Sequence, residues 1–471
     1  PISTCAESQN MKILLIRPKP PSSTVGLKHI MVCEPLELEY MAATVNHLAE
    51  VILIDLILEK RELEYFVKLH KPDVVGFTGY ITHVNRIKSY SDQIKSLNPK
   101  CRVVVGGVHA EVLPDDFKHP NIDFVISQNS MSTFPALINQ LKQDSQVQEV
   151  PTGADSTAIE LPQLLPDRSI SEKYRSRYYY VFHNPCALIK TSYGCPYSCN
   201  FCFCIQITDE QYLARSIDDV VEEIKDISEP EIYIVDDNFL VDRQRVLEFC
   251  DKLEAQNINK RFLIYGRADF ITENPEVIKR FRSCGLRAVI VGLESFEQSE
   301  LDQYSKKSDI EKSERAVQIL HENDVDCYGT FILSPDWGKT EFENLYSWIR
   351  KLGIIFVNLQ PLTPLPGTPI FEQYESQLIV DRNEFELWDL AHLVLQPTKL
   401  SQANYYWNII KLYVGVMMSG KAVWSLFSRY GVWPTLKLSR GVYFVLFQYL
   451  GKVVSSFFMQ KTSRTDLRKE S

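Results

Sequence analysis

The chain of 471 residues is 45% hydrophobic and 24% charged, with a net charge of −9, a balance that fits two to three globular domains with sizeable cores. Its 11 cysteines are scattered apart from one dense group at 195–204. That excludes a disulfide-stapled secreted domain and fits a metal site in a reducing cytoplasm.

Residues 1–10 are polar and lack the charged-then-apolar plan of a signal peptide, so ordered structure is expected from Met11, with a disordered extension before it. From 11 to 143 short apolar runs alternate with amphipathic stretches. Strands are predicted at 12–16, 51–55, 74–77, 102–106 and 124–127. Helices are predicted at 36–48, 59–70, 83–97, near Asp115, and at 132–143. Strand–helix alternation of this kind gives an α/β domain with a parallel, doubly wound, flavodoxin-like sheet, and such sheets bind ligands beyond the carboxyl ends of their strands. The loops there are rich in glycine: Thr78 and Gly79 follow the third strand, and Gly106, Gly107 and His109 follow the fourth. Glycines in these places let a bulky ligand approach the backbone. No G-x-G-x-x-G is present, which argues against a dinucleotide. Plain glycine turns of a flavodoxin-like domain would look the same.

Residues 144–185 read as a linker, with Ser, Asp, Gly and Thr clustered at 152–157 and prolines at 162 and 166. The alternation then resumes. Strands are predicted at 186–191, 231–235, 262–266, 288–291, 327–333 and 356–361, with helices between them at 217–227, 243–256, 275–284, 310–323 and 341–351. Six β/α units form a partial TIM-type barrel open on one side, with chemistry at the carboxyl ends of its strands. After the first of these strands come Cys195, Cys199 and Cys202 in the order C-x3-C-x2-C, with Phe201 before the third. Thiolates at this spacing can close on three irons of a four-iron, four-sulfur cluster and leave the fourth iron open. A zinc site completed from afar, or a chance grouping, are the competing readings. The zinc reading expects a second C-x2-C or a Cys/His pair downstream, and none follows. Cys204 reads as a spectator, because the open iron has to stay free.

The remaining strand ends are polar. Asp236, Asp237 and Asn238 end the second barrel strand, either as a helix-cap cluster before Arg243 or as lining of the site. Arg267 ends the third and suits a carboxylate, or pairs with Asp269. Glu294 ends the fourth beside a glycine, as a group that could bond sugar hydroxyls. From Asp381 the chain is expected to turn helical. From 401 to 471 ten Lys and Arg stand against only Asp466 and Glu470, so the tail points to an anionic partner. Its apolar stretches at 405–418 and 442–458 are interrupted by Lys411, Gln448 and Lys452, which argues against a spanning helix. Aromatics among aliphatics, flanked by Lys and Arg, fit interfacial helices on an anionic bilayer; a helical cap on the barrel is the alternative. They do not fit a nucleic-acid stacking groove.

The motif Cys195–Cys199–Phe201–Cys202 resembles that of the radical S-adenosylmethionine superfamily. Preceded by a sheet domain with residues 35–43 and 105–110 as they stand, the chain resembles the superfamily's cobalamin-dependent class, in particular the hopanoid methylases and the anaerobic porphyrin cyclase group. The resemblance implies three cofactors: a 4Fe-4S cluster, S-adenosylmethionine and cobalamin. It implies Cys195, Cys199 and Cys202 as cluster ligands. Around S-adenosylmethionine it implies Phe201, Asp236, Asp237, Arg267 and Glu294, and around cobalamin Thr78, Gly79, Gly106, Gly107 and His109. No D-x-H-x-x-G occurs, so no histidine need ligate cobalt from below, and 125–130 departs from the usual glycine–glutamate turn, which leaves the contacts to the cobalamin tail open. The expected activity is methylation of an unactivated carbon of a lipid or polycyclic isoprenoid (hopanoid-like) substrate. The alternatives are a non-methylating cyclase or oxidase acting on a tetrapyrrole or other natural product, and a cobalamin sensor. An electron donor such as flavodoxin or ferredoxin, a monomeric state, a cytoplasmic location and peripheral membrane contact complete the expectation.

Overall fold

Ile13–Ile16, Val74, Val75, Phe77 and Val103–Val105 are all buried, as strands covered on both faces must be. They belong to the first of two compact units, made of 1–21 and 35–175; the second comprises 22–34 and 176–471. The computed structural model describes residues 11–25, 30–143, 147, 149–150, 161–162, 164–208 and 211–467, the last ten by backbone only. The extension at 1–10 and the polar cluster at 152–157 lie outside the described residues.

Strands are numbered in chain order. The first unit holds β1 (Lys12–Arg17), β3 (Glu50–Asp55), β4 (Val74–Thr78), β5 (Arg102–Gly106) and β6 (Phe124–Val125), with β2 (Met31–Val32) in the second unit. The sheet is parallel in the order β3-β1-β4-β5-β6, which puts its topological switch point between β1 and β4. Helices α1 (Leu36–Val45) and α5 (Ser130–Gln143) pack together, as do α2 (Leu63–His70) and α3 (Val84–Leu97). The helix expected near Asp115 is a short α4 (Val108–Val112) followed by a 3-10 turn at Pro114–Phe117. The first unit runs further than the alternation predicts: residues of the expected linker form a 3-10 segment, Arg168–Arg177, whose Tyr174 hydroxyl accepts from Asp55 N and donates to Glu59.

In the second unit six parallel strands run in the order β15-β14-β13-β12-β11-β8. They are β8 (Cys186–Ile189), β11 (Glu231–Ile234), β12 (Arg261–Gly266), β13 (Leu286–Glu294), β14 (Asp326–Leu333) and β15 (Phe356–Pro361). Two short ribbons accompany them: β2 with β7 (Tyr179–Tyr180), and β9 (Ser192–Tyr193) with β10 (Leu213–Ala214). Outward-facing Phe262 packs with Phe249 and Phe281, and these in turn meet Phe239, at ring separations of 5.5–5.7 Å. Phe249 lies on a helix at Arg243–Ala255 and Phe281 on one at Pro275–Ser283.

Both free edges of this sheet are closed by side chains, the usual answer to unpaired strand amides. On β8 the amide of Leu188 donates to the buried carboxylate of Glu34 at 2.6 Å. On β15 the amide of Leu359 donates to the Tyr413 hydroxyl at 3.1 Å. Tyr413 lies on a helix at Gln402–Met417, the first of three in the tail; the others span Gly420–Tyr430 and Val432–Leu467. The tail is therefore partly barrel wall, and its last helix begins ten residues earlier than its apolar run suggests. Glu34→Ala is expected to remove the bond that the Leu188 amide donates and cost about 1–3 kcal/mol, read as a lower denaturation midpoint at unchanged slope.

Candidate functional site

The cysteines occupy a long excursion between β9 and β10, whose antiparallel pairing closes its stem. The root of that excursion is tied to the end of β11. Asp236, 1% exposed, accepts from Thr191 N at 2.6 Å, Thr191 Oγ1 at 2.5 Å and Ser192 Oγ at 2.7 Å. Burial raises the Asp236 carboxyl against the opposing pull of these bonds. Asp237 accepts from Gly194 N at 3.1 Å and Lys190 Nζ at 3.3 Å. Helix capping here falls to Asp242 instead, whose side chain accepts from Arg245 N. Asp236 thus anchors the root of the loop through both its oxygens.

Arg267 makes the pairing with Asp269 that the sequence left open. Its guanidinium forks onto Asp269 at 2.9–3.2 Å, donates to Lys306 O at 2.8 Å and to Cys199 Sγ at 3.8 Å, and lies 3.8 Å above the Tyr197 ring. Such a spent, stacked fork fixes neighbours and is not open to a ligand carboxylate. Burial pushes the Cys195 thiol up to about 11 and raises the Cys199 thiol, the latter opposed by Lys306 and Arg267. Among the described residues no three His, Cys, Asp or Glu side chains are set as ligands of a single ion, whereas a cluster spreads its thiolates over separate irons.

Glu294 sits at the end of β13 with φ +60 and pairs with Lys306 Nζ at 2.9 Å. Both are buried, and Gly292 makes room for them: a Cβ there would lie 2.3 Å from Glu294 Oε1 and 2.6 Å from Lys306 Nζ. Burial pulls the Lys306 ammonium down, but the charges of Glu294 and Cys199 outweigh it and leave its pKa raised. Lys306 Nζ is 5.9 Å from the Phe201 ring, which meets Tyr304 edge-on at 6.0 Å. Lys306 carries no sequence signal of its own, since Lys306-Lys307 reads as a solvated turn. Only the fold sets it against Cys199, Phe201 and Glu294, where a buried cation and carboxylate offer the counter-charges of an amino acid. Two amides near the cysteine loop and the end of β11 carry buried atoms without a bond. Asn238 has neither side-chain atom bonded, and Asn200 Oδ1 is unbonded while its Nδ2 donates to Gln303 O. Buried polar atoms left open in this way are positions for a ligand, so the residues present fit a cluster with a bound amino-acid cofactor.

The predicted residues of the first unit gather at its switch point. Thr78 Oγ1 donates to Glu37, and Gly107 has φ +95. A Cβ on Gly107 would lie 2.7 Å from Thr78 Oγ1 and 2.9 Å from Gly79 N, so only a residue without a side chain fits where the loop after β5 meets the end of β4. Gly106 lies in the open by comparison, with 3.8 Å to its nearest neighbour. His109 is corrected from a loop contact to an internal one: it is 5% exposed and its Nε2 bonds Asp116 Oδ2 at 2.9 Å. The histidine with an open nitrogen is His83. Its Nδ1 accepts from Tyr80 N, its buried Nε2 is unbonded, and burial lowers its pKa to about 4, so it stays neutral. A cradle of backbone with an unbonded imidazole N–H fits a large polar-rimmed cofactor.

Comparison with known proteins agrees with both halves. Residues 23–138 match the B12 binding domain and residues 189–349 the Radical SAM superfamily. The chain is 28% identical over 419 residues to hopanoid C-3 methylase of Methylococcus capsulatus, covering 85% of this chain and 79% of that protein. It is 23% identical to bacteriochlorophyllide d C-8(2)-methyltransferase of Chlorobaculum tepidum, covering 73% and 77%. In fold it is similar to the cobalamin-dependent S-adenosylmethionine radical enzyme OxsB, solved with aqua-cobalamin and S-adenosylmethionine, at a TM-score of 0.64 and 17% identity over 97% of this chain and 76% of that one.

Two substitutions test the two halves separately. Asp236→Ala is expected to bind severalfold less iron and sulfide after anaerobic reconstitution while still taking up cobalamin. Gly107→Ala, strained in φ and in contact, is expected to weaken cobalamin binding by about tenfold or more, or about 1.4 kcal/mol, with iron content unchanged; absorbance titration with hydroxocobalamin reads it.

Proposed function

The chain is a cobalamin-dependent radical S-adenosylmethionine enzyme, and from that premise we propose that it transfers a methyl group to an unactivated carbon of a polycyclic isoprenoid lipid. The observation that carries the substrate class is the interior of the barrel. Tyr180 meets Tyr233 of β11 at 5.0 Å and Tyr328 of β14 at 6.2 Å, although two strands separate β11 from β14 in the sheet. The rings therefore meet inside the barrel. Tyr233 also meets Tyr265 at 5.9 Å, and Tyr328 meets Phe356 at 4.5 Å. Tyr265, on the same wall, is 37% exposed. The buried Tyr328 hydroxyl is unbonded. An aromatic wall with few polar points suits a flat, apolar ring system.

When bound, cluster, S-adenosylmethionine and cobalamin supply hydrogen abstraction and a methyl group, the hard chemistry that a protein aims without performing. The chain's residues would do the aiming. Cys195, Cys199 and Cys202 hold the cluster. Lys306 and Glu294 take the carboxylate and amine of the methionyl part, and Asn238 and Asn200 its remaining polar edge. The backbone cradle of Gly79 and Gly107, with Thr78 and His83, holds cobalamin. The tyrosine wall orients the substrate carbon and keeps water away from it. No acid–base pair is required of the protein. A small reductant such as flavodoxin or ferredoxin delivers the electron.

Similarity to a hopanoid methylase favours the lipid; similarity to a bacteriochlorophyllide methyltransferase makes a flat macrocycle the second reading. Anaerobically reconstituted protein given S-adenosylmethionine, cobalamin, reductant and hopanoid-type lipid is expected to yield a lipid heavier by one methyl group, with S-adenosylhomocysteine and 5'-deoxyadenosine in equal amounts. Methyl gain on a tetrapyrrole alone would remove the lipid reading. Turnover without methyl gain would remove methyl transfer in favour of a cyclase or oxidase. A cobalamin-dependent function left intact in Cys199→Ala would replace the enzyme with a cobalamin sensor, and loss of all activity in that variant removes the sensor.

A further inference from the structure

The tail carries a surface that the barrel does not use. Its longest helix, α-helix Val432–Leu467, turns Leu438, Val445 and Tyr449 inward. On its outer side stand Trp433, Leu436, Arg440, Tyr443, Phe447, Leu450, Val454 and Phe457, all exposed, at steps of three and four residues. This is one continuous stripe, roughly 36 Å long at the α-helical rise of 1.5 Å per residue. Trp433 is 82% exposed and Phe447 69%; on the preceding helix Trp424 is 76% exposed. Soluble proteins rarely leave so much contiguous apolar surface bare without a use for it.

Charge identifies the occupant. From 401 to 460 the chain has Lys411, Lys421, Arg429, Lys437, Arg440 and Lys452 and not one Asp or Glu. Arg429 is committed to Asp324, and Lys437 lies on the Tyr179 ring. Lys421 and Arg440 are exposed, and Arg440 stands within the stripe itself. A stripe with steps of three and four could also be a coiled-coil seam between two copies. Two copies, however, would bring cation against cation with no acid to answer it. An anionic surface with an apolar interior answers both features at once. Spanning is not the mode: among the described residues no single helix is long and apolar enough to cross a membrane. The one bent pair that passes by length and composition, Gln402–Met417 with Gly420–Tyr430, has its first member built into the barrel. There Tyr405 donates to Leu333 O and Ser334 O, and Tyr413 bonds the edge of β15.

We propose that the outer face of the last helix, from Trp433 to Phe457, with Trp424 beside it in sequence, docks the enzyme in the plane of an anionic lipid bilayer. The apolar side chains enter the headgroup–acyl boundary, the indoles sit at the interface, and Lys421 and Arg440 meet lipid phosphates. The proposal stands apart from the substrate reading, since a docked enzyme could act on any lipid-borne or soluble molecule.

The test is co-sedimentation of the full chain with vesicles of phosphatidylcholine alone or with phosphatidylglycerol added, at low and high salt. The parent is expected to bind the anionic vesicles, with a blue shift of its tryptophan emission. Lys421→Gln with Arg440→Gln is expected to bind about thirtyfold more weakly at low salt, each cation near an anionic surface being worth roughly fivefold. Trp433→Glu with Phe447→Glu is expected to abolish binding while retaining iron content, cobalamin uptake and thermal midpoint. Parent protein that stays in the supernatant overturns the proposal. So does a concentration-dependent dimer that Trp433→Glu with Phe447→Glu dissolves, because the stripe would then belong to a second copy. Methyl transfer to a detergent-dispersed substrate by a variant that no longer binds vesicles leaves the chemistry standing and separates the two questions.

Discussion

One buried carboxylate holds the chemistry of this protein in place. Asp236 ends the strand next to the first barrel strand and binds the two residues from which the cysteine excursion departs. A carboxylate with no water around it must be saturated by donors, and here the donors are the loop's own Thr191 and Ser192. The loop is thus positioned by an energetic demand of the barrel, and its root cannot shift without stranding a charge. Arg267 repeats the arrangement from the next strand. It spends every arm on Asp269, Tyr197, Cys199 and the carbonyl of Lys306, and so joins the loop to the turn at 300–308.

Once the loop is held, a single ion pair is left to meet a ligand. Glu294 and Lys306 neutralise each other in a buried setting, yet both lie at the strand end where the thiols are. Buried pairs of this sort contribute little net stability; their value is to keep two opposite charges ready at low reorganisation cost for a molecule that carries both. The space for the pair comes from an absent atom, the Cβ of Gly292. The same device recurs in the first unit, where the missing Cβ of Gly107 lets the loop after β5 meet the end of β4.

The tail serves two ends with two faces. Its first helix completes the barrel by giving β15 the hydrogen bond that an edge strand lacks, as Glu34 does for β8. Its last helix buries one side and leaves the other apolar and basic. A sheet left open would be prone to pair with other chains; closing it with a helix also supplied a platform whose outer surface was free to take another role.

Much of this was legible in the residues. The spacing of Cys195, Cys199 and Cys202, the strand–helix alternation in both halves, the glycines at 79 and 107 and the basic tail follow from local chemistry, which one-dimensional pattern records. Phe201 was visible as part of the motif and Glu294 as the polar end of a strand. What the pattern could not record was how each polar group is spent. Asp236, Arg267 and His109 looked available because a sequence shows the type of a side chain and not its partners; in the fold each is consumed by a neighbour. Lys306 and His83 looked ordinary because their neighbours come from other strands and turns. A residue's type and period are properties of the chain, but the availability of a charge is decided by burial and by who already holds it, and only the tertiary structure sets those.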